Sequence, residues 1–172
     1  ALSAHGYREF GQEYLQNVLD TAKQLDAYDS GRIYYYLGEY QKAYLALDEA
    51  RDKGGADSYL YLGRAYAATG DYNYASSVYN NYLSKQGPNA EIYNELGLCE
   101  MAKKEYQNAL AAFQAGKQIE GNSLMQTLCF NEIVAYEYLE DYQQAEVLMN
   151  AYLQNYPDDQ TAIREQQFLS TR

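Results

Sequence analysis

Apolar residues along this chain recur three and four positions apart, the spacing of one face of a helix and not the alternation of a strand. In the segment from Ser58 to Ala75, SYLYLGRAYAATGDYNYA, the residues Tyr59, Leu62, Gly63 and Tyr66 keep that spacing, and Gly70-Asp71 interrupts it. A second amphipathic stretch follows and stops at Gly87-Pro88-Asn89. Glycine suits a helix C-cap, proline cannot continue the helix, and asparagine can cap the next one. The pattern predicts two helices joined by a tight turn.

The same pattern returns further on. Tyr59, Leu62, Gly63, Tyr72, Ala75 and Tyr79 reappear 34 residues later as Tyr93, Leu96, Gly97, Tyr106, Ala109 and Phe113. Self-similarity at such a period marks a stacked array in which each unit buries its apolar face on its neighbours. Weaker copies flank this pair. Residues 24–55 carry Gly31, Tyr34, Gly38-Glu39-Tyr40, Ala43, Leu47 and Ala50, two residues short at Gly54-Gly55. Residues 126–159 carry Tyr136, Asp141-Tyr142, Ala145, Met149, Tyr152 and Pro157. The chain thus reads as one domain: an N-terminal helix in 1–23, repeats over 24–55, 56–89, 90–125 and 126–159, and a terminal helix over 160–172. Gly6-Tyr7, Tyr14 and Val18 give the first segment the look of the second helix of a further repeat. Ser123-x-x-Gln126 reads as a capping box, which would start the first helix of the last repeat a turn early.

The order aromatic-x2-Leu-Gly-x2-Tyr followed by Ala-x3-aromatic resembles the tetratricopeptide repeat. The marks are Tyr59, Leu62, Gly63, Tyr66, Ala75 and Tyr79 in one unit, with Tyr82 in a usually small position, and Tyr93, Leu96, Gly97, Ala109, Phe113 and Gly116 in the next. Glu100 departs from the pattern where an aromatic is usual, and Ile133 stands where glycine is expected, so looser or shifted packing is anticipated there. The resemblance implies an all-α fold, a right-handed superhelical solenoid of antiparallel helix hairpins with about four repeats and a C-terminal capping helix. It also assigns Tyr59, Tyr66, Tyr72 and Tyr79 to helix–helix packing, with no tryptophan in the chain to take the large aromatic role.

In such arrays the first helix of each hairpin lines the concave side. Carried over by position, the resemblance gives a lining of Tyr28, Arg32, Tyr35, Tyr36, Leu60, Arg64, Ala67, Asn94, Leu98, Met101, Phe130, Val134, Glu137 and Tyr138. Tyrosine and arginine are enriched at binding hot spots, and methionine adapts to irregular partners. Arg32 and Arg64 occupy equivalent positions, so both are expected on one surface, where each can hold a carboxylate through two bonds. The family's clamp for C-terminal carboxylates fails here: Tyr28 and Arg32 replace its first pair, and Glu91 and Glu95 stand where basic residues belong. The expected ligand is therefore an amphipathic helix or an extended peptide, its identity open. Self-association through an exposed repeat end is the alternative, giving a monomer or weak homodimer.

Composition narrows the function classes. Net charge is −11, with 24 acidic and 13 basic residues, which argues against a nucleic-acid backbone or an anionic lipid surface as partner. No apolar run has the length of a membrane span. The single histidine, His5, lies near the N-terminus, and Cys99 and Cys129 stand in no CxxC pair; both read as packed thiols, bridged only if the fold brings them within disulfide reach. With no nucleophile–base pair, no metal-ligand spacing and no phosphate loop, neither catalysis nor a cofactor is expected. The chain does not begin with Met, so a processed or trimmed piece of something longer is expected. The stretch from Asn150 to Arg172 is similar to the ends of tetratricopeptide lipoproteins on the surface of Gram-positive gut bacteria. That implies a bacterial cell-surface location, with the cytoplasm as the alternative.

Overall fold

The computed structural model describes residues 4–22, 24–51 and 55–172, with side chains from Phe10 onward. Every regular element among them is helical. In order they are α1 (Ala4–Thr21), α2 (Ala27–Leu37), α3 (Tyr40–Glu49), α4 (Gly55–Ala68) and α5 (Tyr72–Gln86), then α6 (Ala90–Ala102), α7 (Tyr106–Lys117), α8 (Met125–Tyr138), α9 (Tyr142–Asn155) and α10 (Gln160–Leu169). Gly54, half of the expected Gly54-Gly55 turn, and the side chains of His5 and Tyr7 lie outside the described residues; Gly55 opens α4 at φ +58°.

Where the sequence reads as one domain, the chain groups into two compact units, Ala1–Tyr82 and Leu83–Arg172. Stacked hairpins touch mainly their sequence neighbours, so compactness belongs to short runs of repeats.

Helix ends follow local chemistry. The Asp26 carboxylate caps α2 by accepting from Asp29 N–H, and the Asn89 side chain caps α6 by accepting from Glu91 and Ile92 N–H. Gly87 before it has φ +96°, so Gly87-Pro88-Asn89 ends one helix and caps the next. The capping box expected at Ser123 does not form. Asn122 takes the turn instead, accepting from Leu124 N–H at 3.1 Å and donating to Ile119 O at 2.7 Å. Gln126 is drawn away to Tyr152 Oη at 3.1 Å, and α8 begins only at Met125.

The tight turn inside each hairpin needs one left-handed residue. Gly38 (φ +79°) and Gly70 (φ +85°) supply it in the first unit, but Lys104 (φ +64°) and Glu140 (φ +60°) do so in the second, at the backbone strain a side chain brings there.

Each hairpin is locked by a pair sixteen residues apart. A Cβ built at Gly31 would lie 2.5 Å from Leu47 Cγ, one at Gly63 2.3 Å from Tyr79 Cζ, and one at Gly97 2.3 Å from Phe113 Cε1. The buried side chains Leu47, Tyr79 and Phe113 therefore occupy the space that the glycines vacate. In the last hairpin Ile133 and Met149 hold the equivalent positions, both buried in one cluster with Ala145, Tyr152, Ala162 and Leu169. Here both helices carry a large side chain, and the one from α9 is a flexible methionine that can fit around the branched Ile133. Tyr66 stacks on Tyr44 at 4.5 Å and meets Tyr74 at 4.3 Å, so it joins α3, α4 and α5 within the first unit. Tyr82, in the usually small position, meets Tyr59 edge-on at 5.3 Å.

Candidate functional site

In the first unit, Tyr28, Arg32, Tyr35 and Tyr36 fall one turn and two turns apart on α2, and Asp57, Tyr61 and Arg64 do so on α4. The two stripes meet. Tyr36 and Tyr61 hydroxyls lie 2.7 Å apart, and Tyr28 Oη donates to Asp57 Oδ2 at 3.1 Å. The rings of Tyr35, Tyr36 and Tyr61 contact one another edge-to-face, with centroids 5.5–5.8 Å apart. Tyr61 is the centre: the Arg32 guanidinium lies 5.2 Å from its ring and from that of Tyr28, and Arg64 lies 5.9 Å from it. Arg32 and Arg64 thus share one surface. Arg32 Nε is buried with no hydrogen-bond partner, an N–H donor left unspent. Burial pushes the Tyr28 phenol up, and the Asp57 charge adds to it; the bond to Tyr61 does the same for Tyr36, with burial second. Both hydroxyls stay protonated at physiological pH.

Two residues expected in the lining are instead interior. Leu60 is 2% exposed and Asn94 7%. Asn94 is spent on structure: its Oδ1 accepts from Asn131 Nδ2 at 2.9 Å, joining α6 to α8. Tyr61 takes the place expected for Leu60, one position away, and its three-residue spacing to Arg64 is the signal in the sequence that marks it. Ala67 is half-buried on α4.

In the second unit, Leu98 and Tyr138 are exposed, while Met101, Phe130, Val134 and Glu137 are half-buried. Met101 packs on the cluster around Phe113 and Leu128, Phe130 meets Tyr152 at 5.7 Å, and Tyr138 stacks on Tyr106 at 5.0 Å. Phe130, Val134, Glu137 and Tyr138 form one wall of a cleft of about 530 Å³; the others come from Glu140, from Tyr142 of α9, and from Thr161, Glu165 and Phe168 of α10. The sequence shows α10 only as a cap, and its share of this cleft has no periodic signature. Burial pushes the Glu137 carboxyl up to about 7, with the Glu165 charge adding to it. One Glu137 oxygen, Oε1, is buried without a hydrogen-bond partner.

Neither cysteine is bridged. Cys99 is buried and its thiol is pushed up to about 12 by desolvation first and then by Glu95 and Glu100, so it is not a thiolate at neutral pH. Among the described residues no group of three or more His, Cys, Asp or Glu could hold a metal ion, and no helix is long and apolar enough to cross a membrane.

A family profile described as Tetratricopeptide repeat matches residues 28–73 and 62–122. No curated protein sequence matches. Among solved structures, the chain is similar to TTC0263, a thermophilic tetratricopeptide repeat protein of Thermus thermophilus, at TM-score 0.72 and 17% identity, over 98% of this chain and 93% of that one. It is similar to MamA AMB-1 at TM-score 0.67 and 21% identity, over 94% and 81% of the two chains. It also matches a chain of the APC/C hetero-tetramer Cut9-Hcn1 at TM-score 0.68 and 19% identity, over 95% of this chain and 33% of that one. These likenesses fix the fold class as the all-α, tetratricopeptide-like solenoid.

Proposed function

Because the chain belongs to the tetratricopeptide repeat family, whose members are protein-interaction scaffolds and generally not catalysts, we propose that it binds a peptide segment of a protein partner on the faces built by the first helices of its hairpins. In the first unit that face is the tyrosine–arginine cluster around Tyr61. The observation that carries this reading is the pair of guanidiniums held against one ring, with Arg32 Nε buried and unpartnered. A guanidinium set by aromatic contacts loses little freedom when a carboxylate arrives, and preorganisation of this kind converts contact into affinity. The favoured ligand for this face is an extended or helical segment bearing an acidic side chain. Its affinity comes from rigid aromatic anchors, with the arginines selecting for the carboxylate. The likeness of residues 150–172 to the ends of surface lipoproteins supports a bacterial cell-surface setting for that interaction.

The test is selection of a displayed peptide library on the whole chain, followed by fluorescence-polarisation titration of the selected peptides against a triple variant, Arg32→Ala/Tyr36→Ala/Arg64→Ala. Truncating hot-spot residues costs about 2 kcal/mol or more, so affinity should fall by at least ~30-fold while the helical circular-dichroism signal is kept. Equal affinity for variant and parent removes this face from the proposal.

A second reading rests on α1. Phe10 is 72% exposed and Tyr14 64%, one turn apart on the same side of the helix. Two large exposed apolar groups in register support association of α1 with a second copy. Light scattering on a concentration series should then show a dimer that Phe10→Glu/Tyr14→Glu abolishes; a monomer at every concentration removes the reading.

A further inference from the structure

We propose that the cleft walled by α8, α9 and α10 in the second unit captures a lysine or arginine side chain of a protein partner. Glu137 and Glu165 take its charge, and Phe130, Tyr138 and Phe168 cover its aliphatic stem. The inference rests on the reading of α8 as part of a binding face and gives that face a ligand chemistry, opposite in sign to the one favoured on the tyrosine–arginine cluster.

Three observations converge on a cation. The cleft, at about 530 Å³, has room for a long side chain, and its walls are aromatic and aliphatic apart from Thr161 and three acids, Glu137, Glu140 and Glu165. Among the described residues, no basic one lines it. Inside it, Glu137 Oε1 is buried with no hydrogen-bond partner, an acceptor that a buried ammonium or guanidinium would satisfy. The rings already hold such a group: the Arg172 guanidinium lies 4.4 Å from the Phe168 ring and 5.7 Å from that of Tyr142, both cleft walls. Cations over aromatic faces are attracted by the ring quadrupole, and more strongly when water is excluded. A net charge of −11 draws basic partners toward this surface over a longer range.

A metal ion fits less well. Hard divalent cations take six or more oxygen ligands, and half of this cleft is hydrocarbon. A long side chain with a charged head and an apolar stem matches both halves.

The capture should depend on pH. Glu137 titrates near 7 in the free protein because burial and the Glu165 charge disfavour its ionised form. The other groups facing it are Glu140 from the turn, Tyr138 on its own helix, Tyr142 from α9, and Glu165 from α10, with Arg172 over the rings at the rim. A bound cation favours the carboxylate, so binding releases a proton and affinity rises as pH is raised through 7.

The probes are three capped tripeptides, acetyl-Gly-Arg-Gly-amide, acetyl-Gly-Lys-Gly-amide and acetyl-Gly-citrulline-Gly-amide, titrated into the whole chain by amide nuclear magnetic resonance at pH 5.5 and 8. Citrulline keeps the shape of arginine without its charge. Saturable shifts of the amides at 130–138 and 161–168 are expected with arginine or lysine, and at least tenfold weaker ones with citrulline. Arginine should bind roughly tenfold or more tightly at pH 8 than at pH 5.5. Glu137→Gln, which keeps the shape of the side chain, should weaken arginine binding at least tenfold at pH 8 and flatten the pH dependence. Equal binding of arginine and citrulline, or an unaffected Glu137→Gln, overturns the inference and leaves the tyrosine–arginine face untouched. Failure of that face shows instead in the library titration, where Glu137 is intact.

Discussion

Gly97→Ala should destabilise the protein by about 3 kcal/mol, a heavy cost for adding one methyl group to a helix. The usual sign is the reverse, since alanine for glycine in a helix interior gains about 0.5–1 kcal/mol. Here the added Cβ would stand 2.3 Å from Phe113 Cε1, 2.6 Å from Cδ1 and 2.7 Å from Cζ. Phe113 is fully buried, so its ring has no solvent side to swing into, and the clash must be absorbed by α6 moving off α7. Two further variants make the attribution strict. Gly11→Ala on α1 meets nothing within 4 Å and should be neutral or stabilising. Phe113→Leu, destabilising alone through the cavity it leaves, should recover part of the loss in the Gly97→Ala background. Denaturant unfolding of the four-member cycle reads this directly: a favourable coupling of about 1 kcal/mol or more is expected between contacting sites. Additive losses would mean that Gly97 is kept for some reason other than the approach of that ring.

That pair also shows how far the fold is legible in the chain. Gly63 with Tyr79 and Gly97 with Phe113 repeat in the sequence because each demands a fixed exchange, a missing side chain on one helix for a large one on the next. Ile133 reads as a departure that should loosen the packing, yet the same sixteen-residue partner has become Met149 and both are buried. Accommodation of this kind is invisible position by position, because it depends on the shapes of both side chains and on how their helices pack. The turns at Lys104 and Glu140 are hidden for a different reason: their left-handed backbone is imposed by the helices they join, in spite of their own preference. For the candidate surfaces, spacing on one helix is enough to group Tyr28, Arg32 and Tyr36, but the meeting of α2 with α4 at Tyr61 is tertiary. Glu137 is on the sequence-derived lining as one residue among many; its depth, and the Glu165 and Phe168 that face it, come from the packing of α10. Glu100, which breaks the family pattern, is 6% exposed and joined to Lys103 at 2.8 Å, so a charge has entered an interior position together with its counter-charge.

The second such pair carries the other large expected effect. Glu132 on α8 is 5% exposed, and two groups hold it. Lys117 Nζ from α7 forms an ion pair with Oε2, while Gln114 Nε2 donates to Oε1 at 2.9 Å and reaches Tyr136 Oη at 3.4 Å. Forming a buried pair is close to neutral, since desolvation offsets attraction, but removing one member strands the other. Lys117→Ala should therefore cost about 3 kcal/mol at pH 7.5 in thermal or denaturant unfolding. Removing both charges in Lys117→Met/Glu132→Leu, which fills the same space with hydrocarbon, should restore most of it. If Lys117→Ala loses less than about 1 kcal/mol, water replaces the lysine and the site is wetter than its burial implies. If the double variant is as unstable as the single one, the cost lies in lost packing of the lysine stem against α8, and the charge on Glu132 is incidental to it.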